Sequence, residues 1–437
     1  MTTSRATAGF TVVFLGDCVL SRPVSQLAGR DPAFAGVLDL LASADAVCGN
    51  LETVIFDPRD LSCHPYPWDG DWTLAAEPSV AADLAAMNIR LVSRANNHAL
   101  DWGTEGMRVT SQLLDKAGVA HAGVGENEAT ARAARYLETP AGRVGLASLA
   151  TTFRPFSDAL TPHEEAPGRP GVSPVALTRI AALPGDLFDT LATVTARLGA
   201  AAEGDSFQLF GQRVERAADG EPVPRYRYLP CEHHLSAELR AVRLGRQHSD
   251  YLVTTLHSHE AASEAAPTEP AHIVGELARQ AIDAGADAFV TTGIHRPGPV
   301  EIYRGRPVFH GMGNFFWSDI QQPLPGELYR VHRKLLAGPA PGPVTDADLS
   351  SILNAASFDY PWVFESVVAQ ARYDSGGLAE LLLHPVELGR GRGLTARGIP
   401  RLACAEQGQD IIERLAGSSA RFGTRIEWTG SAGRVKL

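Results

Sequence analysis

The chain is predicted to be an α/β protein, on three observations. Strand-like and helix-like segments alternate through the first 150 residues. The run Thr11–Leu15 is apolar without alternation, as in a strand covered on both faces. Polar clusters follow directly behind the apolar runs, where α/β sheets collect their ligands.

Taken in order, Thr11–Leu15 is the first strand and Phe34–Ala44 has helical spacing. Ala46–Cys48 is a short second strand. Leu74–Met87 is alanine-rich and reads as a helix interrupted near Pro78. Arg90–Ser93 is a third strand, Thr104–Ala117 an amphipathic helix and Val144–Ala150 a further strand. Residues 155–232 are rich in proline, glycine and charge; they read as an insertion with one helix, Asp186–Leu198. The pattern then resumes with strand Tyr251–Leu256, helix Ala271–Ala284, strand Ala288–Thr291 and a hairpin over Glu301–Phe309 turning at Arg304-Gly305. Residues 320–360 read as a second irregular insertion. Glu365–Tyr373 and Leu378–Glu387 form a hairpin around Ser375-Gly376-Gly377. The whole of 8–437 is expected to be one domain carrying these two insertions.

Composition narrows the function classes. At 437 residues, 44% hydrophobic and 20% charged, the chain can bury a large core. A net charge of −11 with no basic block disfavours nucleic acid as a partner. No apolar run is long enough to span a bilayer, so no membrane partner is expected. The N-terminal apolar stretch ends early at Gly16-Asp17 and reads as a buried strand rather than a signal peptide. Five scattered cysteines without a CxxC pair disfavour both a disulfide framework and a cysteine zinc site. A cytoplasmic location is expected.

The polar clusters are Gly16-Asp17, Asn50-Leu51-Glu52, Asn97-His98 with Asp101, His257-Ser258-His259-Glu260 and Gly293-Ile294-His295. Carboxylate, amide and imidazole together suit a divalent cation; oxygen donors admit Ca, Mg or Mn, and imidazole extends the range to Zn, Fe or Ni. Each cluster alone has a plainer reading. Asp17 beside a glycine can simply turn the chain, Asn96-Asn97 can form a turn, His98 can be a satisfied buried imidazole and His295 a loop residue. His257 and His259, at i and i+2, point the same way and look more like ligands.

The order of these clusters resembles the CapA family, named for a poly-γ-glutamate capsule protein and built on the calcineurin-like metallophosphoesterase fold. The matching pieces are FLGDCVL, GNLET, NNHALDWGTEGM, LHSHE and GADAFVTTGIHRPGPVEIYRGRPVFHGMGNFFW, spread over residues 10–317. The resemblance implies a four-layer α/β/β/α sandwich. It implies Asp17, Glu52, Asn97 and His257 as metal-side residues with His259 beside them. His98 then stands in the place of the phosphoesterase acid, oriented by Asp101. Two departures from the family pattern, Val19 where a histidine is usual and a missing second histidine near His295, imply one metal ion, with Ca, Mn or Mg favoured over Zn. The capsule-type members commonly carry a membrane anchor, which is not visible here. Resemblance and elimination together lead to the lasso peptide epimerases, which invert the Cα of the C-terminal residue, Trp where known, of a ribosomal precursor peptide. On that reading His98 with Asp101, and His295 held by Asp17, are the acid/base pair. Trp68, Trp72, Arg154 and Arg296 would contact the precursor peptide. A metal-dependent phosphoesterase and a non-catalytic binding protein of a capsule-type assembly are the alternatives.

Overall fold

A computed structural model describes residues 9–60, 62–66, 72–199, 203–218, 220–221, 224–263, 266–318, 323–334 and 343–437. Two large sheets face each other, and helices cover both outer faces. The larger sheet has the first strand, Phe10–Val19, at its centre. Ala46–Leu51 runs parallel on one side, followed outward by Leu91–Ser93 and Ala120–Ala122. On the other side the long hairpin Glu365–Asp374 and Gly377–Glu387 runs antiparallel. The smaller sheet places Gly142–Ala150, Tyr251–His257 and Ala288–Thr292 in parallel, with the hairpin Val300–Tyr303 and Arg306–Phe309 at one edge.

The unbroken apolar runs follow from this layering. In the first strand Val12 and Phe14 enter the core between the sheets, while Val13 and Leu15 enter the core under the outer helices. Successive side chains on a strand point to opposite faces, so a strand buried on both sides needs apolar residues at every position. Tyr251 and Val253 likewise face the other sheet, and Leu252 and Leu256 face the helix layer formed by His272–Ala284 and Glu232–Gln247. Helices Pro32–Ala42, Val80–Ala86 and Gly103–Ala117 cover the larger sheet. The α/β/β/α sandwich implied by the sequence resemblance is the observed fold.

Local expectations differ in three places. The segment Leu74–Met87 is not one interrupted helix. It holds a two-residue strand, Ala75–Ala76, and a helix that starts only at Val80, because Pro78 has no N–H for an earlier turn. The 155–232 segment is not irregular. It carries a four-stranded sheet in the order Ser206–Leu209, Gln212–Arg216, Leu177–Leu183, Arg225–Pro230, backed by helix Gly185–Arg197. Its core of Phe188, Phe207 and Val214 is small, and strands such as Gln212–Arg216 set a single apolar residue among polar ones, which hides the strand pattern in the sequence. The described part of 320–360 contains helices Gly326–Val331 and Asp346–Ser357, the second opened by a capping box at Thr345 and Asp348. Further elements that escape the sequence reading include strands Ala120–Ala122, Arg135–Thr139 and Asn314–Trp317 and helices Glu232–Gln247 and Ala405–Ser419.

At Gly16 the first strand changes neighbours. Up to Phe14 it pairs with Ala369 of the C-terminal hairpin; from Asp17 onward it pairs with Asn314. The register with Ala46–Leu51 also slips between Phe14 and Asp17. A β-carbon on Gly16 would stand 1.8 Å from the Gly313 carbonyl oxygen, so only glycine lets the two backbones meet. The Asp17 N–H donates to that carbonyl at 2.9 Å, which fixes the direction in which Asp17 leaves the strand.

Candidate metal centre and acid/base site

Both sheets deliver their carboxyl ends to one cavity of about 180 Å³. Its walls include Glu52, Asn97, His98, His259 and His295, with Trp72, Leu74, Trp317 and Phe358 forming an apolar side. A second cavity of about 240 Å³ opens at the opposite ends of the strands, near Phe10, Tyr251 and Tyr373. There Asp287 is engaged by Arg246 and Arg306. The sequence-predicted residues gather at the first cavity.

Asp17 is fully buried. Its carboxylate accepts from the Asn50 amide at 2.8 Å and from the Gly293 N–H at 3.1 Å, and lies 3.3 Å from His295 Nδ1. Burial opposes its ionisation, yet the hydrogen bond and charge of His295, the nearby His257 and the Asn50 amide outweigh it. The carboxyl is held well below the usual range. Gly293 comes from the smaller sheet, so this contact also joins the two sheets at the rim. Asn50 is fixed in turn by Asn96, whose amide donates to it at 3.1 Å and to the Leu51 carbonyl at 2.9 Å.

Glu52 is fully buried behind the second strand, with one carboxylate oxygen 3.6 Å from His257 Nε2 and 4.0 Å from His98 Nε2. His257 ends its strand with Nδ1 3.1 Å from the Thr292 hydroxyl and 3.3 Å from the Asn50 amide. With the hydroxyl as acceptor, Nε2 presents its lone pair toward Glu52 and His259. Burial lowers the His257 pKa to about 3, so this imidazole is neutral at physiological pH. The two Nε2 atoms of His257 and His259 face each other at 3.0 Å. His259 reaches solvent at the cavity mouth, although loss of hydration around the ring, then His257 and His295, push its pKa well below the usual value. Glu260 stiffens this turn by accepting from the hydroxyls of Thr151, Thr152 and Ser258.

Two groups of side chains have ligand atoms within 4.8 Å of one another: Glu52 with His257 and His259, and Asp17 with Glu52 and His295. Glu52 belongs to both. The buried side-chain oxygen of Asn97 has no hydrogen-bond partner among the described residues, which fits a further cation-directed donor. These residues fit a divalent metal: a buried carboxylate, neutral imidazoles and an amide oxygen converge where no lysine or arginine lines the cavity.

His98 follows the third strand of the larger sheet. Its Nδ1 lies 2.7 Å from Asp101, which also accepts from the Leu74 N–H at 2.6 Å and pairs with Arg154 at 2.8 Å. Arg154 is almost fully buried; it also donates to the carbonyls of Asn97 and Trp72. Its guanidinium therefore braces the site from within. His295 stands after Ala288–Thr292 of the smaller sheet, with Nδ1 2.9 Å from the Asn314 side-chain oxygen. Its backbone has φ 52°, a left-handed conformation unusual for a side chain of this size. Trp72 forms part of the cavity wall, Arg296 lines a neighbouring cleft, and Trp68 lies outside the described residues. Val19, at the position where a histidine is usual, also lines the cavity. Thr292 and Asn314 are parts of the site outside the polar clusters read from the sequence, while Asn50 and Glu260 stood in those clusters without a role. Their signal was a polar residue within or directly behind an apolar strand.

An α/β/β/α sandwich with carboxylates and imidazoles gathered at its strand ends is a metallophosphoesterase-like fold carrying residue groups that could hold a metal ion. The family model described as bacterial capsule synthesis protein PGA_cap matches residues 11–318. The chain belongs to that family. It is 39% identical over its whole length to the uncharacterized protein y4sH of Sinorhizobium fredii, covering 95% of that protein. It is 23% identical to the PGA biosynthesis protein CapA of Bacillus subtilis, over 70% of this chain and 62% of the relative. The capsule biosynthesis protein CapA of Bacillus anthracis is 21% identical over 72% of the chain and 61% of its own length. Among the described residues no helix is long and apolar enough to cross a membrane.

Proposed function

We propose that this protein is a metal-dependent epimerase that inverts the Cα of the C-terminal residue of a ribosomal lasso precursor peptide. The observation that carries the reading is a pair of imidazoles entering one cavity from different sheets. His98 is held by Asp101 from the larger sheet, and His295 by Asp17 and Asn314 from the smaller one. Between them lies the Glu52–His257–His259 group. Inversion at carbon needs such a pair, because a proton must leave one face and another must arrive on the opposite face. One imidazole accepts the Cα proton while the electron pair moves onto the adjacent carboxylate. The protonated partner then returns a proton from the other side, with no net change in composition. A bound divalent cation supplies positive charge to the developing negative charge on that carboxylate. The donor set of one carboxylate and two imidazoles favours Mn or a similar borderline ion over Ca or Mg. The cavity wall of Trp72, Trp317 and Phe358 suits an aromatic terminal side chain.

The test incubates the protein with precursor peptide in heavy water, with and without chelator. The expected outcome is one deuterium at the terminal Cα together with the diastereomer, lost on chelation. Absence of exchange with every divalent ion tried would reject the reading.

A phosphoesterase is the second reading, favoured by the sharing of Glu52 between two ligand groups. A carboxylate common to two sets of donors is what a pair of metals clamping a phosphoryl group requires. Mn-stimulated release of phosphate from an aryl phosphate, with two metal ions per chain, would support it.

A further inference from the structure

Behind the His295 loop lies a separate cleft of about 340 Å³, lined by Arg296, Pro297, Pro361, Trp362, Glu365 and Arg414 among others. It shares two walls with the metal-site cavity. The first is the loop after strand Ala288–Thr292, which gives His295 to one side and Arg296 to the other. The second is the turn after helix Asp346–Ser357, which gives Phe358 to the cavity and Trp362 to the cleft. Asn314 ties the walls together, since its oxygen lies 2.9 Å from His295 Nδ1 and its amide donates to the Val363 carbonyl at 3.0 Å.

On this turn the rings of Tyr360 and Trp362 stack, with centroids 4.6 Å apart and planes 8° from parallel. They remain 47% and 39% exposed. Ordered aromatic rings open to water bury much apolar area on contact with a partner and lose little side-chain freedom, which is why such rings anchor interfaces. Arg296 places a cation on the same rim, and Arg414 is paired there with Glu365.

We propose that this cleft docks the substrate segment upstream of the reacting residue, with Trp362, backed by the stacked Tyr360, taking an apolar or aromatic side chain. This rests on the epimerase reading, in which the terminal residue occupies the metal-site cavity. A chain leaving that cavity over the shared wall meets Tyr360 and Trp362 next. The cleft sets affinity and register, while the imidazoles on the far side of the wall act on the Cα.

The test uses a fluorescein-labelled peptide ending in phenylalanine, glutamate and tryptophan. Binding is followed by fluorescence anisotropy, and deuterium entry at the last Cα is measured in parallel. Trp362→Ala is expected to weaken binding about tenfold. Trp362→Phe should restore most of the affinity, and exchange at saturating peptide should be unchanged. Tyr360→Ala serves as the second variant, and circular dichroism checks that both fold. Unchanged affinity in both alanine variants, with exchange intact, overturns the docking role and leaves the epimerase reading standing. Binding that depends on Trp362 without exchange keeps the cleft and rejects that reading. Neither binding nor exchange rejects both.

Discussion

His295 combines two demands in one position. Its imidazole must meet Asp17 and Asn314, and its backbone must adopt a left-handed turn at φ 52°. Histidine accepts that backbone at some cost, whereas asparagine is among the residues most tolerant of it. His295→Asn should therefore abolish deuterium exchange, and because it takes the main partner from the buried Asp17 carboxylate, the melting temperature should fall despite the easier backbone. Exchange that survives in this variant would show that the imidazole is structural alone. The same residue shows how far the site was legible in the sequence. Asp17, Glu52, His98, Asp101, His257, His259 and His295 stand behind strands, so their type and place pointed to them. Thr292 and Asn314 were hidden because an amide or hydroxyl in a strand looks like any polar residue until its partners are known. Arg154, expected among the peptide contacts, lies buried beside Asp101, a place that depends on a fold-back no local pattern encodes.

Single elements carry their own consequences. The change of neighbours at Gly16 rests on a backbone-to-backbone approach, and Gly16→Ala would drive a methyl into the Gly313 carbonyl. Loss of at least several kcal/mol is expected, measured by urea denaturation; a shift within error would mean that strand Asn314–Trp317 can move aside. Helix Glu232–Gln247 holds a different liability. Glu238 is buried against Ser173, and burial raises its pKa to about 8 despite the Ser173 hydroxyl and nearby Arg132. In the unfolded chain this carboxyl ionises near its ordinary value, while in the fold it keeps its proton. Stability thus falls as pH rises from about 4.3 to about 8 and then levels off. Glu238→Gln should flatten that slope and raise the urea midpoint above pH 7; equal slopes in variant and parent would refute the assignment. Elements of this kind differ in how plainly they are written. The apolar runs of the sandwich strands and the Arg304-Gly305 turn were readable. The sheet within 155–232 was not, because a strand such as Gln212–Arg216 sets one apolar residue, Val214, among polar ones.

At the scale of the whole molecule, the candidate metal centre is a clasp between sheets. Glu52 comes from the larger sheet, His257 and His259 from the smaller. An ion held by all three would bind the folded state and not the unfolded one, and so stabilise it by mass action. Saturating Mn should raise the melting temperature by several degrees, and Glu52→Gln should remove most of that rise. An equal rise in the variant would place the ion elsewhere.

The position of the first strand has a consequence for the order of synthesis. Phe10–Val19 is made before the other described strands, yet it lies at the middle of its sheet between partners far apart in the sequence. Val12 pairs with Ala46 on one side and with Ala371 on the other. At roughly 5–20 residues per second the second partner arrives tens of seconds after the first. Until then one edge of this apolar strand is open to any passing chain. Asp17 waits as well, since Asn314 and Gly293 must arrive before its carboxylate is set. The nascent protein spends most of its translation as a half-built sheet with that edge unpaired.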